Sequence, residues 1–297
     1  MTIVIAGGTG FLGTALRDRL HRHGHRTIVL TRRPRGVDDV RWSADAHDTT
    51  WTHTVDTADA VVNLAGESIA GARWTSARKA ALRDSRMTPT RSLVSAIRSV
   101  KRPPPLFISS SAVGIYGPRD NEPKTEDSPA GSDFLAGICR EWEALAQEAT
   151  TTSRVVLLRT GLVLARNGGA LPQLALPFRL FAGGPVGTGR QHMSWIHVAD
   201  WIGLVHLLLE SRSNVSGPIN LTAPEPVTNE AFAKSLGKVL RRPAFLRTPA
   251  FALRLILGEM ADELILGGQR AIPARARALG YEFKYSRLES ALQEIYG

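Results

Sequence analysis

IVIAGGTGFLG, residues 3–13, decides the fold. Ile3–Ala6 is a short apolar run of the kind that forms a buried strand. Thr14 to His23 behind the glycines is amphipathic, and Gly24 supplies a helix stop. Gly7, Gly10 and Gly13 therefore sit between a strand and a helix. The first permits a tight turn, the second lets backbone approach a pyrophosphate, and the third lets helix and strand pack closely. Phe11 and Leu12 lie at the helix N-terminus, whose free N–H groups and positive dipole end suit phosphate. A merely tight turn would not need three glycines, so the stretch implies dinucleotide binding.

The end of the second β-rich run, Arg26–Leu30, chooses the cofactor. A site for NAD places an Asp or Glu there to accept from the ribose 2′-hydroxyl. Here the run ends in Thr31, Arg32 and Arg33, with no acid. Two guanidiniums suit a 2′-phosphate through charge and forked donors. NADP(H) is the expected cofactor, and a solvated basic loop is the plain alternative.

Working outward, Ala58–Leu64 reads as a third strand and Trp74–Val100 as a long helix with Pro89 inside. PPPLFISSSA, residues 103–112, gives a Pro-rich turn and a strand. SDFLAGICREWEALA, residues 132–146, reads as one helix, and Ser153–Leu164 as the next strand. Strands alternating with helices imply a parallel sheet covered on both faces. After Leu164 the chain is rich in Gly and Pro up to Gln191. A strand and helix follow over residues 194–210, and Pro218–Leu221 is expected to rejoin the sheet. Thr228 or Asn229 starts another helix, and the remainder reads as mostly helical.

The chain has 297 residues, 43% hydrophobic and 22% charged, enough to bury a sizeable core. Its net charge is +10, from 37 Lys+Arg against 27 Asp+Glu. The basic residues are scattered and not interleaved with aromatics, so nucleic acid is not an expected partner and the excess reads as bias plus a small-anion site. One cysteine excludes an internal disulfide and suits a reducing compartment. MTIVIAGG carries no basic region or cleavage site, so no secretory signal is expected. The apolar runs fall short of the roughly 20 residues that span a bilayer. A cytoplasmic protein without membrane contact is the expectation. His21, His23 and His25 crowd a helix end, where imidazoles suit the dipole. His197 and Asp200 lie three apart, but Asp200 reads as a first-turn acid. No metal site is expected.

GGTGFLG at 7–13, NLAG at 63–66, ISSSAVGIYG at 108–117 and WIHVAD at 195–200 together resemble the short-chain dehydrogenase/reductase superfamily in its extended, epimerase-like form. NLAGESI, WE at 142–143, GGPVGTGRQHMSWIH and NLTAPEPVTNEAFA narrow the resemblance to an atypical epimerase family with its own small C-terminal domain, of the DUF1731 type. The resemblance covers nearly the whole chain. It implies an α/β, Rossmann-type doubly wound parallel sheet with a smaller, mostly helical C-terminal domain. Residues 1–164, with 192–222 rejoining them, would form the NADP-binding domain, and 165–191 with 223–297 the substrate domain. It further implies that Leu64, Ala65 and Gly66 line the adenosine and ribose side. Arg86 would point toward the cofactor, and Val163 would sit near the nicotinamide. A dimer is plausible by superfamily analogy alone.

Ser111 matches the position of the superfamily's catalytic serine, which bonds a substrate carbonyl or hydroxyl. The register of the usual tyrosine and lysine instead reaches Leu135 and Cys139. A leucine cannot transfer a proton. Cys139 could be acidified by Arg86, yet it shares a helical face with Leu135 and Trp142, and packing as a small hydrophobe is the plainer role. Glu67, after the NLAG strand, ranks behind Ser111 and Cys139 as an acid/base candidate, and Tyr116 is another possible donor. Two functions follow. The first is an NADP(H)-dependent oxidoreductase or nucleoside-sugar-epimerase-like enzyme acting on an unidentified carbonyl or hydroxyl substrate. The second is a weakly catalytic NADP(H)-binding sensor or interaction protein, linked through the family to cell division.

Overall fold

The computed structural model describes residues 1–44, 49–210 and 214–297. Its strands are β1 (Thr2–Ala6), β2 (Arg26–Thr31), β3 (Asp39–Arg41), β4 (Ala60–Asn63), β5 (Leu106–Ala112), β6 (Arg119–Lys124) and β7 (Arg154–Thr160). The short strands β8 (Leu162–Ala165), β9 (Gly168–Gly169), β10 (His192–Met193) and β11 (Trp195–His197) follow. β12 (Gly217–Leu221), β13 (Val227–Thr228) and β14 (Gly268–Ala271) complete the set. Seven strands form the central sheet in the order β12-β7-β5-β4-β1-β2-β3. Every pairing within it is parallel. Strand order reverses between β1 and β4, so their carboxyl ends open the crevice where such sheets take ligands.

The sheet is covered on both faces. The helices are α1 (Phe11–Arg22), α2 (Thr52–Asp56), α3 (Ser76–Ser99), α4 (Phe134–Gln147), α5 (Leu171–Arg179), α6 (Val198–Glu210), α7 (Asn229–Leu240), α8 (Ala250–Leu257), α9 (Ala274–Ala278) and α10 (Leu288–Tyr296). Side chains alternate along a strand. Ile3 and Ile5 accordingly pack with Leu16, Leu20, Trp201 and Leu204 from α1 and α6. Val4 and Ala6 pack on the other face with Leu93, Ile97 and Ala146 from α3 and α4. Burial on both sides explains why the strands read as continuous apolar runs. A third core joins α5, α7 and α10 through Phe178, Phe232, Leu236, Leu288 and Leu292.

Several elements differ from the sequence reading. α1 begins at Phe11, not Thr14, so the glycine loop runs directly into its first turn. β3, too short to carry a pattern, was not anticipated. The expected strand Ser153–Leu164 is two strands broken at Gly161, where an added Cβ would lie 2.4 Å from the Ser194 carbonyl oxygen. Its second half leaves the main sheet and pairs with β11. Of residues 192–222, only β12 joins the central sheet, beside β7. The C-terminal part also supplies a strand, β14, that pairs with β6. Among the described residues no helix is long and apolar enough to cross a membrane.

Candidate functional site

The glycine loop closes against β4. Gly7 has φ +77°, and a Cβ there would lie 2.7 Å from the Leu64 carbonyl carbon. A Cβ on Gly13 would lie 2.3 Å from the Gly7 oxygen, so loop and helix pack at backbone contact. Gly10 occupies the N-cap without a side-chain cap. The opening N–H groups of α1 are thus left to a ligand. Asn63 fixes the facing loop: its Oδ1 accepts from Ala65 N at 3.1 Å, and its Nδ2 donates to Thr90 Oγ1 at 2.9 Å. The Phe11 ring lies over Gly168, and Gly169 sits against the Val163 carbonyl. Gly7, Gly10, Phe11, Gly13, Leu64, Ala65 and Val163 therefore gather at one end of α1. Leu12 packs, with Phe11, Leu64 and Val163, against the core under the sheet.

Arg86 completes this wall. Its side chain lies along Gly66, where an added Cβ would meet Arg86 Cγ at 3.5 Å. The guanidinium donates to the carbonyls of Leu82 (2.8 Å) and Glu67 (3.0 Å). It is 8% exposed and has no carboxylate partner among the described residues. Burial pulls its pKa down. Arg32 and Arg33 stand apart, exposed at the end of β2, with no ion pair among the described residues. Thr31 Oγ1 accepts from Arg33 N at 3.3 Å, which shapes that turn. Glu67 is exposed and ion-paired with Arg78.

Ser111 belongs to a different, buried network. Its hydroxyl donates to Glu143 Oε1 at 2.6 Å. Arg159, the strand neighbour of Ser111, holds Glu143 through two bonds of 2.8 Å, from Nε and Nη2. Arg159 Nη1 also donates to the Tyr116 hydroxyl (3.0 Å) and to the Glu126 carbonyl (2.9 Å). Tyr116 in turn donates to Asn220 Oδ1 at 2.7 Å. Burial alone would depress Arg159, but the hydrogen bonds and charge of Glu143, with Tyr116, hold it above its ordinary value. Burial pushes the Tyr116 phenol up against the pull of Arg159.

Cys139 takes the plainer of its two readings, a packed small hydrophobe, and Arg86 does not acidify it. Burial, reinforced by the Glu143 charge, pushes its thiol up to about 12, and Arg86 only partly opposes this. Cys139 packs with Val113, Ile115, Tyr116 and Ala271. Leu135, one turn earlier, packs with Trp74, Leu82, Met87 and Trp142. Both residues serve as core. Glu143, one turn beyond Cys139, is the ionisable group on this face. Sequence reading quoted it only within WE, and it missed Asn220 and Glu126. The available signal was Arg159 inside an apolar strand, since a buried charge demands a partner.

A cavity of about 410 Å³ opens beside this network, lined by Tyr116, Gly117, Pro118, Asp133, Asp262 and Glu263 among others. Glu263 accepts from the N–H groups of Phe134 and Leu135, at 3.3 and 3.2 Å, and burial raises its pKa. The loop Gly187–Gln191 does not line it. Gln191 instead donates to the Val186 and Ile265 carbonyls, and Arg190 is exposed. A larger cavity of about 610 Å³ between α7 and α10 involves none of the candidate residues. Asp200 accepts from the Lys284 and Tyr285 N–H groups at 2.8 and 2.9 Å, which ties α6 to the C-terminal segment.

Residues 3–221 match the NAD dependent epimerase/dehydratase family, and residues 248–295 match a domain of unknown function, DUF1731. The crystal structure of human epimerase family protein SDR39U1 with NADPH superposes with a TM-score of 0.90 at 36% identity, covering 100% of this chain and 99% of that one. The Arabidopsis thaliana protein named epimerase family protein SDR39U1 homolog, chloroplastic, is 41% identical over 99% of this chain and 86% of its own length. The Bacillus subtilis epimerase family protein YfhF is 40% identical, covering 99% of this chain and 98% of that protein. Strand order, glycine loop and matched length agree, and this chain belongs to the NAD dependent epimerase/dehydratase family.

Proposed function

We propose that this chain is an NADP(H)-binding oxidoreductase or epimerase-like enzyme acting on a small carbonyl or hydroxyl substrate. NADPH or NADP⁺, when bound, supplies or accepts the hydride. The observation that carries the reading is the convergence at one end of α1. Gly7 and Gly13 let the loop close on α1 and on the end of β4 at backbone contact, where any Cβ would clash, the opening amides carry no cap, and Arg86 presents a buried cation without a carboxylate ion pair among the described residues. The amides of Gly10, Phe11, Leu12 and Gly13 hold the pyrophosphate. Thr31, Arg32 and Arg33 hold the 2′-phosphate. Leu64, Ala65 and Gly66 line the adenosine side, and Val163 borders the nicotinamide. The human relative was crystallised with NADPH, which supports the choice of cofactor.

Ser111 donates its hydroxyl hydrogen bond to Glu143, so its oxygen keeps lone pairs for a substrate hydroxyl. A proton leaving that hydroxyl passes to Ser111 while Ser111's own proton passes to Glu143. Arg159 positions Glu143 for this step. The relay takes the place of the tyrosine and lysine, and the buried Cys139 thiol has no part in it. Residues 165–191 and 223–297 form the substrate-side domain in this reading, and the lone buried cysteine fits a reducing compartment such as the cytoplasm.

The test is NADPH oxidation across aldehydes, ketones and sugar nucleotides. Turnover should appear with at least one, and Ser111→Ala should lower kcat while NADPH affinity holds. An absence of calorimetric heat with millimolar NADPH would overturn the proposal.

A further inference from the structure

The amino edge of the sheet, a strand's length from the glycine loop, carries a cluster that the proposed chemistry does not use. His25 stands immediately before β2, and His206 and Glu210 occupy successive turns at the end of α6. Glu210 Oε1 lies 3.3 Å from His25 Nε2 and 3.4 Å from His206 Nε2. The three ligand atoms all fall within 4.8 Å of one another. In a tetrahedral zinc site with bonds of about 2.0–2.1 Å, neighbouring ligand atoms are about 3.3–3.4 Å apart. Both measured edges have that length.

His206 supplies a second, independent observation. It is 7% exposed, and its Nε2 has no hydrogen-bond partner. Buried polar atoms are nearly always bonded, and one left orphaned beside a histidine and a carboxylate points to a missing ligand. The His23 ring braces His206 edge-on, with centroids 4.5 Å apart, while its Nδ1 donates to the Arg19 carbonyl at 2.9 Å. His23 therefore buttresses the cluster from outside it.

We propose that His25, His206 and Glu210 bind one divalent transition ion of the zinc class, with water in the fourth position. Two imidazoles and one carboxylate form a borderline donor set that prefers such ions to calcium or magnesium. The ion clamps the turn between α1 and β2 onto the last turn of α6. It acts on structure, at the edge of the sheet opposite the cofactor. The Arg19 charge lies near the cluster and opposes cation binding there.

The experiment uses the full chain, untagged and stripped with chelator, titrated with Co²⁺ as the probe. One equivalent should give the intense visible bands of four-coordinate cobalt, and Zn²⁺ should displace it. His206→Ala and Glu210→Gln should each weaken binding at least tenfold, while His53→Gln leaves it unchanged. Glu210 is exposed, so its variant should fold, and unchanged NADPH affinity in Glu210→Gln is the check. A spectrum like that of hexaaqua cobalt at one equivalent would overturn the proposal. So would equal binding by Glu210→Gln and the parent chain.

Discussion

Two arginines flank the carboxyl end of β5, each 8% exposed, and the protein treats them in opposite ways. Arg159, beside Ser111, is gripped by both oxygens of Glu143 and by Tyr116. Arg86, on the α3 side, lies over the Trp142 ring and, among the described residues, hydrogen-bonds only to carbonyl and hydroxyl oxygens. Their pKa directions diverge accordingly: Arg159 is held up by its carboxylate despite burial, and Arg86 is pulled down by burial. Removing a guanidinium from water is costly unless the charge is compensated. One region supplies that compensation internally. The other holds no carboxylate ion pair among the described residues, and in the proposed reading an incoming anion supplies the missing charge.

The largest effect should come from breaking the satisfied side. Glu143→Ala strands Arg159 as an uncompensated buried charge, which costs about 3–5 kcal/mol. Urea unfolding should show it as a lowered midpoint at unchanged slope. A loss below ~1 kcal/mol would mean that water reaches the pair, and the contrast would fail. Arg86→Met sharpens the comparison from the other side. Replacing an unpaired buried cation with an apolar chain of similar length should leave stability of the ligand-free chain unchanged or raised. NADPH affinity should fall by about 1.5–3 kcal/mol, the range for hydrogen bonds to charged groups. If Arg86→Met loses stability while NADPH titrates normally, Arg86 is architecture too.

The same contrast explains what the sequence disclosed. The glycine loop was legible because the positive φ of Gly7 and the packing of Gly13 on Gly7 and Gly8 are local demands, visible as spacing within seven residues. Strands buried on both faces were legible as apolar runs. The break at Gly161 was not, because it depends on Ser194, more than thirty residues away. Glu143 likewise acquires meaning only when β7 brings Arg159 beside it. The helix that should have carried a proton donor was correctly seen to lack the tyrosine. Glu143, the proton acceptor of the proposed relay, lies two turns further along, where superfamily register gave no reason to look. The histidines at 21, 23 and 25 were noticed, but their partners His206 and Glu210 lie about 180 residues away.

A smaller effect is expected at Arg32 and Arg33, which are exposed where Arg86 is buried. Solvent-exposed charge pairs contribute roughly 0.2–1 kcal/mol each. Replacing both with alanine should cost about tenfold in NADPH affinity and leave NADH binding unaffected. Stability should stay within about 0.5 kcal/mol. Salt supplies the discriminating measurement, because exposed pairs are screened and buried ones much less so. Raising ionic strength should weaken NADPH binding in the parent chain more than in the double variant. Equal salt dependence in the two would move the 2′-phosphate contact elsewhere.

The smallest effect at neutral pH concerns Cys139, on the α4 face next to Glu143. Burial and the Glu143 charge favour its neutral thiol, raising the value from 9.0 to about 12 in the folded chain. The sign follows from linkage. Below pH 9.0 folded and unfolded chains both carry the thiol, so ionisation does not change stability. Between 9.0 and about 12 only the unfolded chain ionises, and stability falls as pH rises through that window. Cys139→Ala should remove that alkaline loss and leave the neutral-pH profile parallel to the parent's. Near pH 8 a thiol reagent should label the unfolded chain quickly and the folded chain only as fast as it opens. Rapid labelling of the folded chain would place a thiolate within reach of Arg86 and solvent. Arg86 would then have an anionic partner inside the protein, and the difference between the two arginines would disappear.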